Sequence, residues 1–296
     1  MRARIFLALL IVIALSTCAN AAMNLFHADK SGDEILNALI NDKANKFTLA
    51  NYVDDVTSID LTYNVYLPEE YSSDKKFPVV FFIADGSSVG KESRFSLTQG
   101  YGALVWPEDC IVIVPVYPET VLDDHKGFVT SDYVDLTGRF VKYALNTYSI
   151  DKSRVYATGQ SMGCMTFLVL AAKNPELFTA CLFVSGQWDI NALKGLTGQR
   201  FVYVASAGDD KASKGQAEVI NMFDKAKVPY LRYDDIDAKN AGIYLPVSQA
   251  ATFVTFRAGT TLPEVSDAGK YSEHMTSFDY AYRMQELREW LLAQTR

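Results

Sequence analysis

Histidine and cysteine are scarce in this chain: three of the first and four of the second among 296 residues. There is no C-x-x-C and no H-E-x-x-H, and His27, His125 and His274 are scattered, so a histidine-rich metal site is not expected. A disulfide framework is not expected either. Cys110, Cys164 and Cys181 sit in apolar runs, allow one bridge at most, and read as small core residues. The chain also lacks any Lys/Arg-rich tract. Lys and Arg number 28 against 35 Asp and Glu, for a net charge of −7. That balance argues against nucleic acid and against an anionic membrane surface as partners. No internal repeat, low-complexity segment or clear linker is present.

The one long apolar run near the start, Ile5 to Leu15, is too short for a comfortable membrane span. Arg2 and Arg4 precede it, and Ala19-Asn20-Ala21 follows as an A-x-A cleavage signal. Residues 1–21 are therefore expected to be a secretory signal peptide, giving a secreted or periplasmic protein. Leu15-Ser16-Thr17-Cys18 lies near a lipoprotein processing box with an atypical threonine, so lipid anchoring through Cys18 is the lesser alternative. Residues 22–296 are expected to form a single domain, and with 49% hydrophobic residues the core is amply supplied.

What the chain does have is a series of strands apolar at every position: Val79 to Ile83, Ile111 to Val116, Ala180 to Val184 and Phe201 to Ala205. Strands buried on both faces belong to parallel sheets. Between them lie helical patterns at Tyr133 to Tyr148, Cys164 to Lys173, Lys214 to Lys227 and Thr276 to Gln294, the last with a capping-box-like start at Thr276 and Asp279. A shorter amphipathic stretch, Glu34 to Ile40, comes earlier. Ser58 to Leu67 alternates like an edge strand. Tyr230 to Tyr233 and Phe253 to Phe256 also look like strands, the second without an obvious place in the sheet. The alternation predicts an α/β fold with a mostly parallel, doubly wound sheet and helices on both faces.

The centre of the pattern is Gly159-Gln160-Ser161-Met162-Gly163, between the strand Arg154 to Thr158 and the helix from Cys164. This is G-x-S-x-G in a strand–turn–helix frame. Side chains at the two glycine positions would collide with the neighbouring strand and helix, and the strained turn aims the serine hydroxyl into open space. A serine hydroxyl needs a base, and the base an orienting acid. In such a frame the order along the chain is serine, acid, histidine. His274 is the only histidine after Ser161. Asp209, directly after Gly208, is the favoured acid; Asp210 competes, and Asp189 and Asp234-Asp235 are weaker candidates. The oxyanion of an acyl transfer needs two donors. These are expected to be the backbone N–H of Met162 and that of Ser87, with Gly86 as neighbour. Trp188, at the carboxyl end of a strand, is a candidate wall of the substrate pocket.

Several stretches resemble the α/β-hydrolase superfamily and, within it, the secreted esterase and poly(3-hydroxybutyrate)-depolymerase-like group that includes feruloyl and acetylxylan esterases. They are Tyr63 to Pro68, Phe77 to Gly86, Tyr148 to Gly163, Asn174 to Phe178 and the closing segment from His274 to Trp290. Asp85 departs from the group by standing where many such enzymes carry histidine. The resemblance implies a serine esterase without metal or organic cofactor, acting on a small-molecule or polymer-linked ester through Ser161, Asp209 and His274. Two other readings stay open: a serine peptidase of the prolyl-oligopeptidase-like branch, and a non-catalytic binding protein on the same fold.

Overall fold

A computed structural model describes residues 30–264 and 271–296. The expected leader, residues 1–21, and Cys18 lie outside the described residues. Among the described residues the main sheet has nine strands in the order β1-β2-β4-β3-β7-β8-β9-β11-β10. These are β1 (Thr48–Val53), β2 (Asp60–Tyr66), β3 (Phe77–Ile83), β4 (Ile111–Pro115), β7 (Ile150–Gln160), β8 (Ala180–Val184), β9 (Phe201–Ser206), β10 (Leu231–Ile236) and β11 (Ala251–Phe256). The first two pairings, β1 with β2 and β2 with β4, are antiparallel, and the rest are parallel. A small separate hairpin joins β5 (Leu122–Asp123) to β6 (Val129–Thr130).

The fully apolar strands follow from having two cores to fill. In β3, Val79, Phe81 and Ile83 point into one cluster, while Val80 and Phe82 point into the other. Ile111 and Ile113 of β4 join the first cluster, and Val112 and Val114 the second. The first is covered by α3 (Tyr133–Thr147), α4 (Met162–Lys173) and α5 (Asp210–Ala226). The second is covered by α1 (Lys30–Lys43), the short α2 (Phe95–Thr98), α6 (Glu273–Arg283) and α7 (Gln285–Leu292). Each Phe or Leu removed from water in these layers contributes about 1.5–3 kcal/mol. Cys110, Cys164 and Cys181 are buried free thiols, the last two within the first cluster.

Three local features differ from the sequence expectations. The strand at 253–256 has a definite place: β11 inserts between β9 and β10, leaving β10 on the edge. The C-terminal helical pattern is two helices, because Met284 is extended (φ −64°, ψ 112°) and ends α6. The helix also starts earlier than Thr276: Ser272 is the cap, its hydroxyl accepting the His274 N–H at 3.2 Å. Thr276 instead lies inside the helix, its hydroxyl 3.1 Å from that of Thr261.

The β1–β2 hairpin is fastened to α3 by an ion pair. Asp54 is completely buried and receives Arg139 Nε at 2.6 Å and Nη2 at 2.7 Å. The Thr57 N–H (2.9 Å) and hydroxyl (2.6 Å) and the Tyr52 hydroxyl (2.9 Å) complete its shell. The Arg139 guanidinium, with the Thr57 and Tyr52 donors behind it, holds the Asp54 carboxyl far below the usual carboxylate range.

Candidate active site

In an open parallel sheet ligands bind beyond the carboxyl ends of the strands, where the chain switches direction. Here the chain leaves β3 for β4 on one side and returns to β7 on the other. The turn between β7 and α4 carries Ser161, whose backbone sits at φ 50°, ψ −115°. A non-glycine residue at positive φ is strained, and such strain persists only where the surroundings enforce it. They do so through close packing. A Cβ on Gly163 would lie 1.9 Å from the Ile83 carbonyl oxygen, and one on Gly159 would lie 2.4 Å from the Gly163 carbonyl carbon. The Ser161 N–H is held by the Val184 carbonyl at 3.0 Å.

The hydroxyl of Ser161 lies 2.9 Å from His274 Nε2, and His274 Nδ1 lies 2.5 Å from Asp209 Oδ2. His274 arrives on the first turn of α6, where the Ser272 cap fixes its backbone. Its ring meets the Phe278 ring edge-on at 5.1 Å. Asp209 arrives from the end of β9. Its other oxygen caps α5 by accepting the Ala212 N–H at 3.2 Å, so capping and contact with the imidazole are two duties of one carboxylate. Asp210 is exposed in the first turn of α5. Asp189 caps a short 3₁₀ turn, and Asp234 and Asp235 lie on edge strand β10 beside Arg232 and Arg257. With the Asp209 carboxylate accepting from Nδ1–H, Nε2 is left to accept the serine proton.

The two expected oxyanion donors stand differently. Met162 is the first residue of α4, a position whose N–H has no acceptor within its own helix. The Ser87 N–H donates to Asp85 Oδ1 at 2.9 Å, as the second N–H of a 3₁₀ turn capped by that aspartate. The same turn uses the Ser88 and Val89 N–H groups on the Asp85 and Gly86 carbonyls. Its own bonds leave the Gly86 N–H. Asp85, only 3% exposed, also accepts from Gln160 Nε2 at 2.8 Å and Gln99 Nε2 at 3.3 Å. It thereby ties the arm after β3 to the residue preceding Ser161.

A cavity of about 270 Å³ opens over Ser161, His274 and Asp209. Its other walls are Met165, Gly186, Gln187, Lys211, Asp124 and His125. Asp124 follows β5 in the small hairpin, where Gln187 Nε2 and Lys211 Nζ both donate to its Oδ2, the latter at 2.9 Å. Trp188 does not line the cavity. It is 4% exposed and its ring packs on Phe128 of the hairpin at 5.0 Å. The sequence assigns no site role to Asp124, His125, Gln187 or Lys211, although Gln187 and Lys211 lie within two residues of Trp188 and Asp209, which it does single out. Asp123, Asp124 and His125 are close enough together to share a cation, but the Lys211 ammonium already sits on Asp124. A larger open groove of about 610 Å³, between Ile190–Thr197 and α5, includes none of Ser161, His274 and Asp209.

The sequence profile of the Esterase family matches residues 56–255, more than half of the chain. The chain belongs to the esterase family. This member is similar to feruloyl esterase B of Talaromyces funiculosus, 28% identical over 150 residues that cover 46% of this chain and 38% of that protein. It is similar to acetylxylan esterase A of Emericella nidulans, 26% identical over 150 residues covering 47% and 45% respectively. The matched stretch spans less than half the length of either of these curated relatives. Among solved structures, a thermostable esterase superposes with a TM-score of 0.68 at 19% identity, over 86% of this chain and 64% of that one. The fluorophosphonate-binding serine hydrolase FphF of Staphylococcus aureus superposes with a TM-score of 0.52 at 13% identity, over 84% and 98%. This esterase-family chain therefore has the α/β-hydrolase fold. Among its described residues no helix is long and apolar enough to cross a membrane.

Proposed function

We propose that this protein hydrolyses carboxylic esters through an acyl-enzyme on Ser161. The observation that carries the reading is the hydrogen-bonded row from Asp209 through His274 to Ser161, at 2.5 and 2.9 Å. His274 Nε2 takes the serine proton as Oγ attacks the ester carbonyl, and Asp209 holds the imidazolium that forms. The developing oxyanion faces the N–H of Met162 and the N–H that the Asp85-capped turn leaves over, that of Gly86. Each such donor is typically worth about 10²–10³ in rate. As the tetrahedral intermediate collapses, His274 protonates the departing alkoxide. Water then repeats the sequence on the acyl-enzyme, giving the acid and free Ser161.

The alcohol or acyl group in the cavity meets Asp124, His125, Gln187 and Lys211, donors and acceptors rather than an apolar slot. That lining suits a hydroxyl-bearing group. With the feruloyl and acetylxylan esterases among the relatives, a sugar-linked ester is the substrate class we favour. The reading includes secretion by the leader at residues 1–21 and one hydrolase domain over residues 22–296.

The test is turnover of p-nitrophenyl acetate and labelling by a fluorophosphonate, with wild type beside Ser161→Ala. Wild type should turn over and label stoichiometrically. The variant should lose about 10⁵-fold or more in kcat and all of the label. An inert, unlabelled wild type would remove the esterase reading.

A further inference from the structure

The base and its acid partner reach the site on different elements, and one side chain touches the backbone route of both. Glu273 immediately precedes His274, yet its carboxylate turns back across the sheet end. Its Oε2 accepts the Ser206 hydroxyl at 2.6 Å, at the last residue of β9 and three positions before Asp209. Its Oε1 accepts the Gly259 N–H at 2.8 Å, in the loop after β11. The Thr261 hydroxyl of the same loop lies 3.4 Å from Oε2. The carboxylate rests on Gly208: a Cβ there would fall 1.9 Å from Oε1. The residue before Asp209 has no side chain because this carboxylate occupies the space.

We propose that Glu273 is a positioning residue for the proposed reaction, setting the distance between Asp209 and His274; this rests on the esterase reading above. One carboxylate fastens the start of α6, the end of β9 and the loop after β11. The imidazole is thereby placed against both neighbours before substrate arrives. Glu273 is not among the residues lining the cavity over Ser161, so its loss acts on the chemical step rather than on binding. A displacement of about 1 Å at a reacting group can lower the rate about 10²-fold.

The experiment measures kcat and KM for p-nitrophenyl acetate, and the rate and final stoichiometry of fluorophosphonate labelling, on the full chain. The variants are Glu273→Ala, Glu273→Gln and Gly208→Ala, with Ser161→Ala as reference. Glu273→Ala should lose about 10²-fold in kcat with KM within about twofold. Its labelling should be slow but complete, the mark of a folded site with a misplaced base. Glu273→Gln should recover to within a few-fold. Its oxygen still accepts the Gly259 N–H, while the Ser206 and Thr261 hydroxyls can turn to accept from its amide. Gly208→Ala, which pushes the carboxylate off without removing it, should show the same split as Glu273→Ala, and it decides the matter if Glu273→Ala does not fold. Full rate in Glu273→Ala, full rate in Gly208→Ala, or a loss confined to KM would overturn the proposal. If Ser161→Ala abolishes turnover while these variants do not alter it, only the role of Glu273 falls. If Ser161→Ala keeps turnover, the esterase mechanism falls first.

Discussion

Asp54 and Asp209 are both buried aspartates that settle a local turn and receive one basic side chain, and they could hardly be less alike in consequence. Asp54 has every lone pair in use: a bidentate guanidinium, two donors from Thr57 and the Tyr52 hydroxyl. Its partner is charged at every accessible pH. Asp209 has one backbone N–H and one imidazole, a partner whose proton can move. A saturated carboxylate facing a permanent cation has nothing left to respond with, and its contribution is to stability. In the proposed mechanism, a carboxylate shared between a cap and a histidine keeps the histidine in one orientation while leaving Nε2 to exchange a proton with Ser161. The same residue type thus serves as anchor or as orienter according to what completes its shell.

The sharpest way to break the contrast is to neutralise each aspartate in turn. Asp209→Asn should cost about 10⁴-fold in kcat, because the amide no longer enforces the tautomer that leaves Nε2 free. Unfolding by urea should scarcely change, since asparagine caps a helix as well as aspartate. The next effect is on the other partner. Arg139→Ala leaves Asp54 buried and uncompensated and should lower stability by about 3–5 kcal/mol. Its kcat per folded molecule should be unchanged, measured as activity against active-site titre. The smallest effect sharpens the comparison through pH. The folded-state pKa of Asp54 is depressed by the Arg139 bonds first and the Thr57 and Tyr52 bonds next. Its stabilisation is therefore fully present above the unfolded value of about 3.9 and is lost as pH falls below that toward the folded one. Between about pH 4 and pH 2, wild type should lose up to about 1.4 kcal/mol per pH unit more than Asp54→Asn, read from urea midpoints.

The centre of the molecule was legible from its residues because the signals there are local. Strands such as Val79 to Ile83 are apolar at every position since both faces are covered, and the two glycines around Ser161 stand within one five-residue motif, Gly159 closing on Gly163 inside the turn and Gly163 on the end of strand β3. The edges were harder. Strand β1, Thr48–Val53, has only Tyr52 buried, so it shows no apolar face and its sequence reads as loop. Strand β10 was legible as a strand, but nothing in Leu231–Ile236 says that β11, later in the chain, will insert inside it. The break at Met284 was hidden because Leu287 and Leu291 nearly continue the helical period across an extended residue. The site divides the same way. Ser161 stood out by its motif, His274 by chain order and Asp209, with Asp210 competing, by its place after Gly208; the structure brings the first three side chains within hydrogen-bond distance. The pairings Asp54–Arg139 and Asp124–Lys211, each spanning more than eighty residues, belong to the tertiary fold alone. The Ser87 amide was assigned by position in the loop; that its own turn would consume it depends on Asp85, which sequence showed only as a missing histidine.

The three described cysteines give the protein an internal clock. Cys110, at the foot of β4, Cys181, in β8, and Cys164, beneath the Ser161 turn, are all enclosed. Burial pushes the thiols of Cys110 and Cys181 up to about 12 and that of Cys164 higher still. A thiol so placed reacts with an alkylating reagent only during the moments when its surroundings come apart. Alkylation timed at each of the three would thus give separate opening frequencies for the antiparallel end of the sheet, its middle, and the packing under the serine, with no cysteine introduced and no residue substituted.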